Sequence, residues 1–227
     1  MRRISLQAVE ARFSCYRQRV EESTFQKNML GICLQKHKLI KQYCKDADIV
    51  HHLAGITAVP RVKSEAKIEH EKIIEEVAIE GTQNIIDAIK DECKIILPST
   101  HVVYEGMQEV KKDILEGEDT LPVLAYGKSK AHNEKQLRDS GKNFIILRLG
   151  SVYGYSTDTT RLDIMTNLFS KIASQNGMLK LYAGGRQIKS LVPLIDVARC
   201  FKFMEEKENI TSETFNLTKD TVTVKDV

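Results

Sequence analysis

The sequence has no tryptophan, and aromatic residues make up only 6% of its 227 positions. Proteins that grip single-stranded nucleic acid interleave aromatic with basic side chains, and no such stripe occurs here. Charge of one sign is also missing: 34 basic against 31 acidic side chains leave a net +3, too mild for nucleic acid or an acidic membrane surface. The five cysteines, Cys15, Cys33, Cys44, Cys93 and Cys200, form no CxxC pair. A zinc site and a disulfide framework are therefore not expected, and a reducing cytoplasm is the natural setting. No apolar run reaches membrane-spanning length, and no signal-peptide core follows Met1. Glu10, Glu21 and Glu22 argue against reading the Arg-rich start as a transit peptide.

The most consequential gap is glycine. None of the twelve glycines precedes Gly31, so the first thirty residues cannot form a glycine turn of the kind that lets backbone amides approach a phosphate. That segment shows no clear strand either. Arg17 and Glu21 stand four apart, and a solvated helix is the plain reading.

From Gly31 onward strands alternate with helices. A helix is expected over Lys36–Lys45. A buried strand follows at Asp48–Ala54 and ends at Gly55, and a long amphipathic helix covers Ser64–Glu92. Lys94–Leu97 reads as a strand closed by Pro98. Residues 105–125 are polar and read as a long surface loop of the kind that covers a site. Further helices are expected at Tyr126–Asp139, Leu162–Gln175 and Ile195–Lys207. Further strands are expected at Asn143–Leu147, Leu179–Tyr182 and Thr214–Leu217. Largely apolar strands alternating with helices predict an α/β fold with a parallel sheet covered on both faces. Thr223 to Asp226 reads as a capping box that opens a helix just before Val227.

Three stretches carry chemistry: Ser99–Tyr104, Tyr126–Lys130 and Arg148–Gly154. Tyr126 and Lys130 share a helix face. An ammonium beside a phenol favours the phenolate and would lower the tyrosine from about 10 toward neutrality, which suits proton transfer with a substrate hydroxyl or carbonyl. Alone, such a pair is better explained by a surface helix, and Ser99-Thr100 alone by a turn or cap. Thr100, however, falls just past a parallel strand, at the sheet edge where ligands of open α/β proteins bind. His51 and His52 are adjacent on a strand and point to opposite faces, which favours packing over a shared metal ion.

Taken together these residues resemble the extended short-chain dehydrogenase/reductases, also called the NAD-dependent epimerase/dehydratase family. The resemblance covers roughly Gly31 to Val227. His52-Leu53-Ala54-Gly55 is similar to the family's run beside the cofactor, and Gly81-Thr82 matches the end of its Asn-Val-x-Gly-Thr with Ala78 in place of Asn. Ser99–Tyr104 resembles Ser-Ser-x-x-Val-Tyr-Gly, with Glu105 where the glycine would stand. Tyr126 to Glu134 resembles Tyr-Gly-x-Ser-Lys-x-x-x-Glu, and Arg148–Gly154 resembles Arg-x-x-Asn-Val-Tyr-Gly with Ser151 for Asn. Gly185-Arg186-Gln187 and Val192–Ala198 are similar to later family segments.

The resemblance implies a Rossmann-like doubly wound parallel sheet that lacks its first βαβ glycine-loop unit, with a small partial C-terminal substrate lobe. The expected organisation is an atypical segment at 1–30, a partial NAD(P)-binding domain at 31–150 and a partial substrate lobe at 151–227, in a chain incomplete at both ends and lacking the central strand of its sheet. It implies catalytic roles for Thr100, Tyr126 and Lys130, and NAD or NADP contacts from Leu53, Ala54, Gly55, Tyr126, Lys130 and Leu149. Substrate contacts would come from Thr100, Ser151 and Lys189, with no metal. Lys189-Ser190 replaces an Arg-Asp pair of the family, so a phosphate there would meet a point charge rather than a bidentate fork. Some sugar-nucleotide dehydratases carry Asp-Glu after the catalytic Thr; His101-Val102 here disfavours dehydration.

The implied activity is oxidoreduction or epimerisation of a hydroxyl-bearing small molecule, a nucleotide sugar foremost. A 3-hydroxysteroid or flavonol-type reductase and a non-catalytic family member are the alternatives. The family often forms homodimers through helices such as Ser64–Glu92 and Tyr126–Asp139; nucleic acid and membrane partners are not expected.

Overall fold

The computed structural model describes residues 3–5, 37–56, 68–156, 161–162 and 164–227. Its elements in chain order are β1 (Arg3–Ser5), α1 (His37–Cys44), β2 (Ile49–His51), α2 (Ile68–Ala88), β3 (Lys94–Thr100), α3 (Ala125–Asp139), β4 (Asn143–Leu149), β5 (Ser151–Tyr153), α4 (Met165–Ser174), β6 (Ile188–Pro193), α5 (Leu194–Glu206), β7 (Glu213–Leu217) and β8 (Asp220–Thr223). Short 3-10 turns cover His101–Tyr104, Tyr182–Gly185 and Val224–Asp226.

Strands β1-β2-β3-β4-β7 form one sheet, in that order, with every pair parallel. Side-chain alternation along its strands divides the core. Ile95 and Leu97 of β3 and Phe144 and Ile146 of β4 pack with Ile85, Ile86, Ile89 and Leu137 of the α2–α3 side. Ile96, Ile145 and Leu147 face the other way, onto Met204, Cys200 and Phe201 of α5. Strands apolar on both faces need helices on both faces, and the doubly wound α/β expectation holds. Lys94 extends from the start of β3 and its Nζ donates to the carbonyls of Met204 at 3.3 Å and Lys207 at 2.6 Å. Its charge thus sits on the negative end of α5.

A second, smaller sheet has the order β5-β6-β8, with β6 parallel to β5 and antiparallel to β8. One residue, Gly150, separates β4 from β5. A Cβ there would stand 2.9 Å from the Ser190 carbonyl oxygen, so only glycine lets β6 lie this close to the end of β4.

Several expectations change. Arg3–Ser5 is a strand, paired Arg3↔Ile49 to Ser5↔His51, in the segment where none is expected from composition. The place beside β2 that would otherwise be open is therefore filled. The expected helix around Arg17 and the start of the helix at 64–67 lie outside the described residues. β3 does not close at Pro98 but runs to Thr100, pairing Pro98↔Leu147. The β2 ladder ends at His51↔Ile96, so the missing N–H of Pro98 breaks no bond on that side.

No strand forms at Leu179–Tyr182. The chain instead turns through left-handed Ala183, Gly184 and Gly185, with φ of 48°, 66° and 71°. Strands β5, β6 and β8 have no counterpart among the expected elements. The expected final helix is one 3-10 turn, in which the Thr223 hydroxyl donates to Asp226.

Candidate active site

The C-terminal edge of the parallel sheet gathers most of the predicted residues. Thr100 ends β3, opposite Leu149 at the end of β4, and its hydroxyl accepts the Val102 amide at 3.4 Å. Tyr126 and Lys130 lie one turn apart in the first half of α3. Gly127 lets that turn approach: a Cβ there would meet Pro122 Cβ at 3.1 Å and the Val102 carbonyl at 3.2 Å. The start of α3 is thereby held against the 3-10 turn that follows Thr100. Ser151 begins the small sheet immediately after Leu149 and Gly150, and Lys189 follows on β6. Leu53, Ala54 and Gly55 follow β2 at the same end of the sheet, half-buried, and none makes a side-chain contact that fixes a role.

Lys130 differs from expectation. It is buried, and its Nζ donates to the Pro98 carbonyl at 2.8 Å. Burial pulls its pKa down to about 8, against the opposing pull of Glu134. The Tyr126 phenol is not lowered by Lys130. Burial raises it, while the charge of Arg161 and the influence of the Thr100 hydroxyl oppose that rise. The lysine reaches inward along β3, so its charge is spent on the strand rather than on the phenol. Arg161 belongs to none of the sequence motifs. Asn167 holds this stretch, donating to the Arg161 carbonyl at 3.0 Å and accepting the Gly154 amide at 3.1 Å; no sequence pattern announces that clasp.

Beneath Thr100 lies a buried polar network. Glu134 accepts the Ser99 hydroxyl at 2.5 Å, Arg148 Nη2 at 2.7 Å and Arg138 Nη2 at 3.0 Å. Arg148 also donates to the Tyr104 hydroxyl and, at 3.0 Å, to the Glu116 carbonyl. Asn216 donates its side-chain amide to the Ile114 carbonyl at 2.9 Å, and its backbone amide to Glu116 Oε1 at 2.8 Å. The 105–125 loop is thereby fastened over the ends of β4 and β7. Glu134 and Arg148, the centre of this network, both fall in the stretches that resemble the family, but nothing in the sequence signals that they pair.

His51 and His52 diverge as their strand positions require. His51 stacks on Phe201 with ring centroids 5.3 Å apart and pairs with Glu205 at 2.8 Å. His52 meets the Thr82 hydroxyl at 2.8 Å, and Asn133 donates to the same hydroxyl at 2.7 Å. Burial, reinforced by the charge of Lys130, lowers His52 to about 3.

Comparison with known proteins places this geometry. The chain is 32% identical over 128 residues to the "Probable low-salt glycan biosynthesis reductase" of Haloferax volcanii, an overlap of 55% of this chain and 39% of that one. A UDP-glucuronic acid 4-epimerase of Bacillus cereus, solved as a point mutant with UDP-4-deoxy-4-fluoro-glucuronic acid and NAD, superposes with a TM-score of 0.68. It is 23% identical, and the match covers 82% of this chain and 58% of that one. A UDP-glucose 4-epimerase of Thermotoga maritima, solved with UDP-glucose, gives 0.69 at 20% identity, covering 86% and 62%. The chain thus spans less than two thirds of the length of each of these relatives. A profile of the family matches residues 6–218, reaching well into the N-terminal segment that the motifs leave aside, and the chain belongs to the NAD dependent epimerase/dehydratase family.

Proposed function

We propose that this chain carries the proton-transfer half of an NAD(P)-dependent oxidoreductase site acting on a hydroxyl of a small molecule, with nucleotide sugars the leading class. The observation that carries this is the convergence of Thr100, at the end of β3, with Tyr126 and Lys130, one helical turn apart at the start of α3, on the C-terminal edge of the sheet; Lys130 Nζ donates to the Pro98 carbonyl two residues before Thr100. Thr100 aligns the substrate oxygen. Tyr126 Oη takes the proton from that oxygen in oxidation and returns it in reduction.

The residues fit a nicotinamide cofactor at one end. Lys130 is buried, and of its three N–H donors only one has an acceptor among the described residues. The other two suit the hydroxyls of a ribose. Lys130, Tyr126, Leu149 and the 53–55 run would hold that end. NAD(P), when bound there, supplies the acceptor or donor of hydride. The nucleotide-sugar class is supported by the ligands of the structural relatives and by the positive charge of Lys189 on β6, beside the strand that begins with Ser151.

A second reading, a non-catalytic family member, is favoured by one observation: no glycine precedes Gly31, so residues 1–30 offer no glycine turn for the cofactor's pyrophosphate. Fluorescence titration with NADH and NADPH separates the two. Micromolar binding, with turnover of a UDP- or dTDP-sugar that Tyr126→Phe abolishes, is expected. Absence of binding defeats the enzymatic reading for this chain. Turnover of sterol or flavonoid alcohols, but of no sugar nucleotide, replaces the substrate class with that of the reductases.

A further inference from the structure

The site contains a titratable group that proton transfer through Tyr126 does not use. His101 follows Thr100 directly and opens the 3-10 turn His101–Tyr104. Its Nδ1 donates to the Leu149 carbonyl at 3.0 Å. A carbonyl only accepts, so the neutral ring carries its proton on Nδ1 and Nε2 keeps its lone pair. That nitrogen has no partner among the described residues, and it is not one of the sealed interior atoms.

Its location follows from the backbone. Leu149 ends β4, Gly150 brings β6 to within contact of that end, and Lys189 precedes the Ser190 carbonyl that Gly150 meets. His101 therefore stands between the two sheets, one residue from Thr100. Burial lowers its pKa; the Leu149 hydrogen bond opposes this and the Lys189 charge adds to it. The ring is held neutral with a fixed tautomer, and its Nε2 is an acceptor unpaired among the described residues and not sealed in the interior.

We propose that His101 Nε2 accepts a hydrogen bond from a second hydroxyl of the substrate, neighbouring the one on which Tyr126 acts, and so selects a polyhydroxylated ring such as a sugar over a monohydric alcohol. The proposal rests on the reading of Thr100 and Tyr126 given above. It makes His101 a determinant of specificity: a substrate without the second hydroxyl leaves a desolvated acceptor unpaired. Asparagine at this position would keep a donor for Leu149 but leave no acceptor at the Nε2 position. Glutamine would extend an acceptor toward the Nε2 position.

The test is long-range proton–nitrogen NMR on the nitrogen-labelled full chain, alone, with UDP and with UDP-glucose, alongside binding titrations of both. In the free chain His101 Nε2 should resonate as an unprotonated nitrogen. UDP-glucose should shift it toward the hydrogen-bonded range, and UDP should not. His101→Asn should weaken UDP-glucose about tenfold while leaving UDP unchanged, and His101→Gln should recover part of the loss. A protonated Nε2 in the free chain overturns the proposal. So does UDP-glucose binding that leaves Nε2 unmoved and is indifferent to His101→Asn, while the Tyr126 reading survives. If neither ligand binds, the nucleotide-sugar reading falls and the proposal falls with it.

Discussion

Glu134 and Arg148 form an ion pair at 2.7 Å in which both side chains are almost wholly shielded from solvent. Each charge is further satisfied: the carboxylate by Ser99 and Arg138, the guanidinium by Tyr104 and the Glu116 carbonyl. Removing one partner leaves a buried charge uncompensated, which costs about 3–5 kcal/mol. Glu134→Ala should lower stability by that order in urea titrations. A loss under about 1 kcal/mol would mean that water reaches the pair. The same network ties the 105–125 loop, so proteolytic cleavage within residues 105–125 should quicken in this variant.

Lys130 should trade stability for function. Its native pKa, about 8, lies below the ordinary lysine value of 10.5. Between those values the unfolded chain binds a proton that the native chain does not, so this group makes stability rise with pH across that window. Cys44 and Cys93, raised by burial to about 11 and about 12, act oppositely above their ordinary value of 9.0, so the comparison must be between variants. Lys130→Met should be more stable than the parent at neutral pH and should lose the rise between about 8 and 10.5. Equal pH profiles for the two proteins would refute the assignment.

His52 governs the acid side. Its ring is neutral in the fold down to about pH 3, whereas in the unfolded chain it charges near 6.5. Its contribution is therefore present above pH 6.5 and is lost progressively as pH falls toward 3. Chemical denaturation from neutral pH down to roughly pH 4 should show a shallower decline for His52→Gln than for the parent.

Tyr126 should ionise late in the free chain. Burial raises the phenol above its usual 10, although Arg161 and Thr100 oppose the shift. The ultraviolet titration of the parent minus that of Tyr126→Phe isolates this one residue, and its step should lie above pH 10. In the loaded enzyme the same substitution should cost about 10²–10⁴ in turnover.

Gly150 joins the two sheets. Gly150→Val would drive a side chain into the Ser190 carbonyl, which stands 2.9 Å from the first added carbon, at a cost of about 1–3 kcal/mol or more. Hydrogen exchange should report the opening of β6 before that of β4. Uniform destabilisation would contradict the role of Gly150 as a local spacer.

Much of the sheet is legible in the sequence because its strands are short apolar runs between helices of strong period. Lys94–Leu97 and Asn143–Leu147 could hardly be anything else. Strands β5, β6 and β8 are not legible, because Ser151, Lys189, Thr221 and Thr223 dilute the apolar signal on strands that are only half covered. β1 is three residues long and draws its conformation from β2 rather than from its own composition. In the site, Thr100, Tyr126 and Lys130 are singled out by several short stretches in the family's order, which no one spacing does alone. Spacing does not give the direction of Lys130, because it implies a shared face and says nothing of which acceptor the ammonium reaches first. In the sequence His101 signals only the absence of an acidic residue at its place. Its competence depends on the Leu149 carbonyl, a contact between residues 48 positions apart.

The two histidines at the end of β2, His51 and His52, have one last consequence. His51 is matched to Glu205 and Phe201 on one side of the sheet, and His52 to Thr82 on the other. A slip of one residue along the neighbouring strands would exchange them, offering each ring the wrong counterpart and turning Val50 against α5. A three-residue strand has few ladder bonds with which to hold its alignment. The paired histidines act as a proofreading mark, distinguishing the native threading of β2 from its mirror neighbour by two mismatches at once.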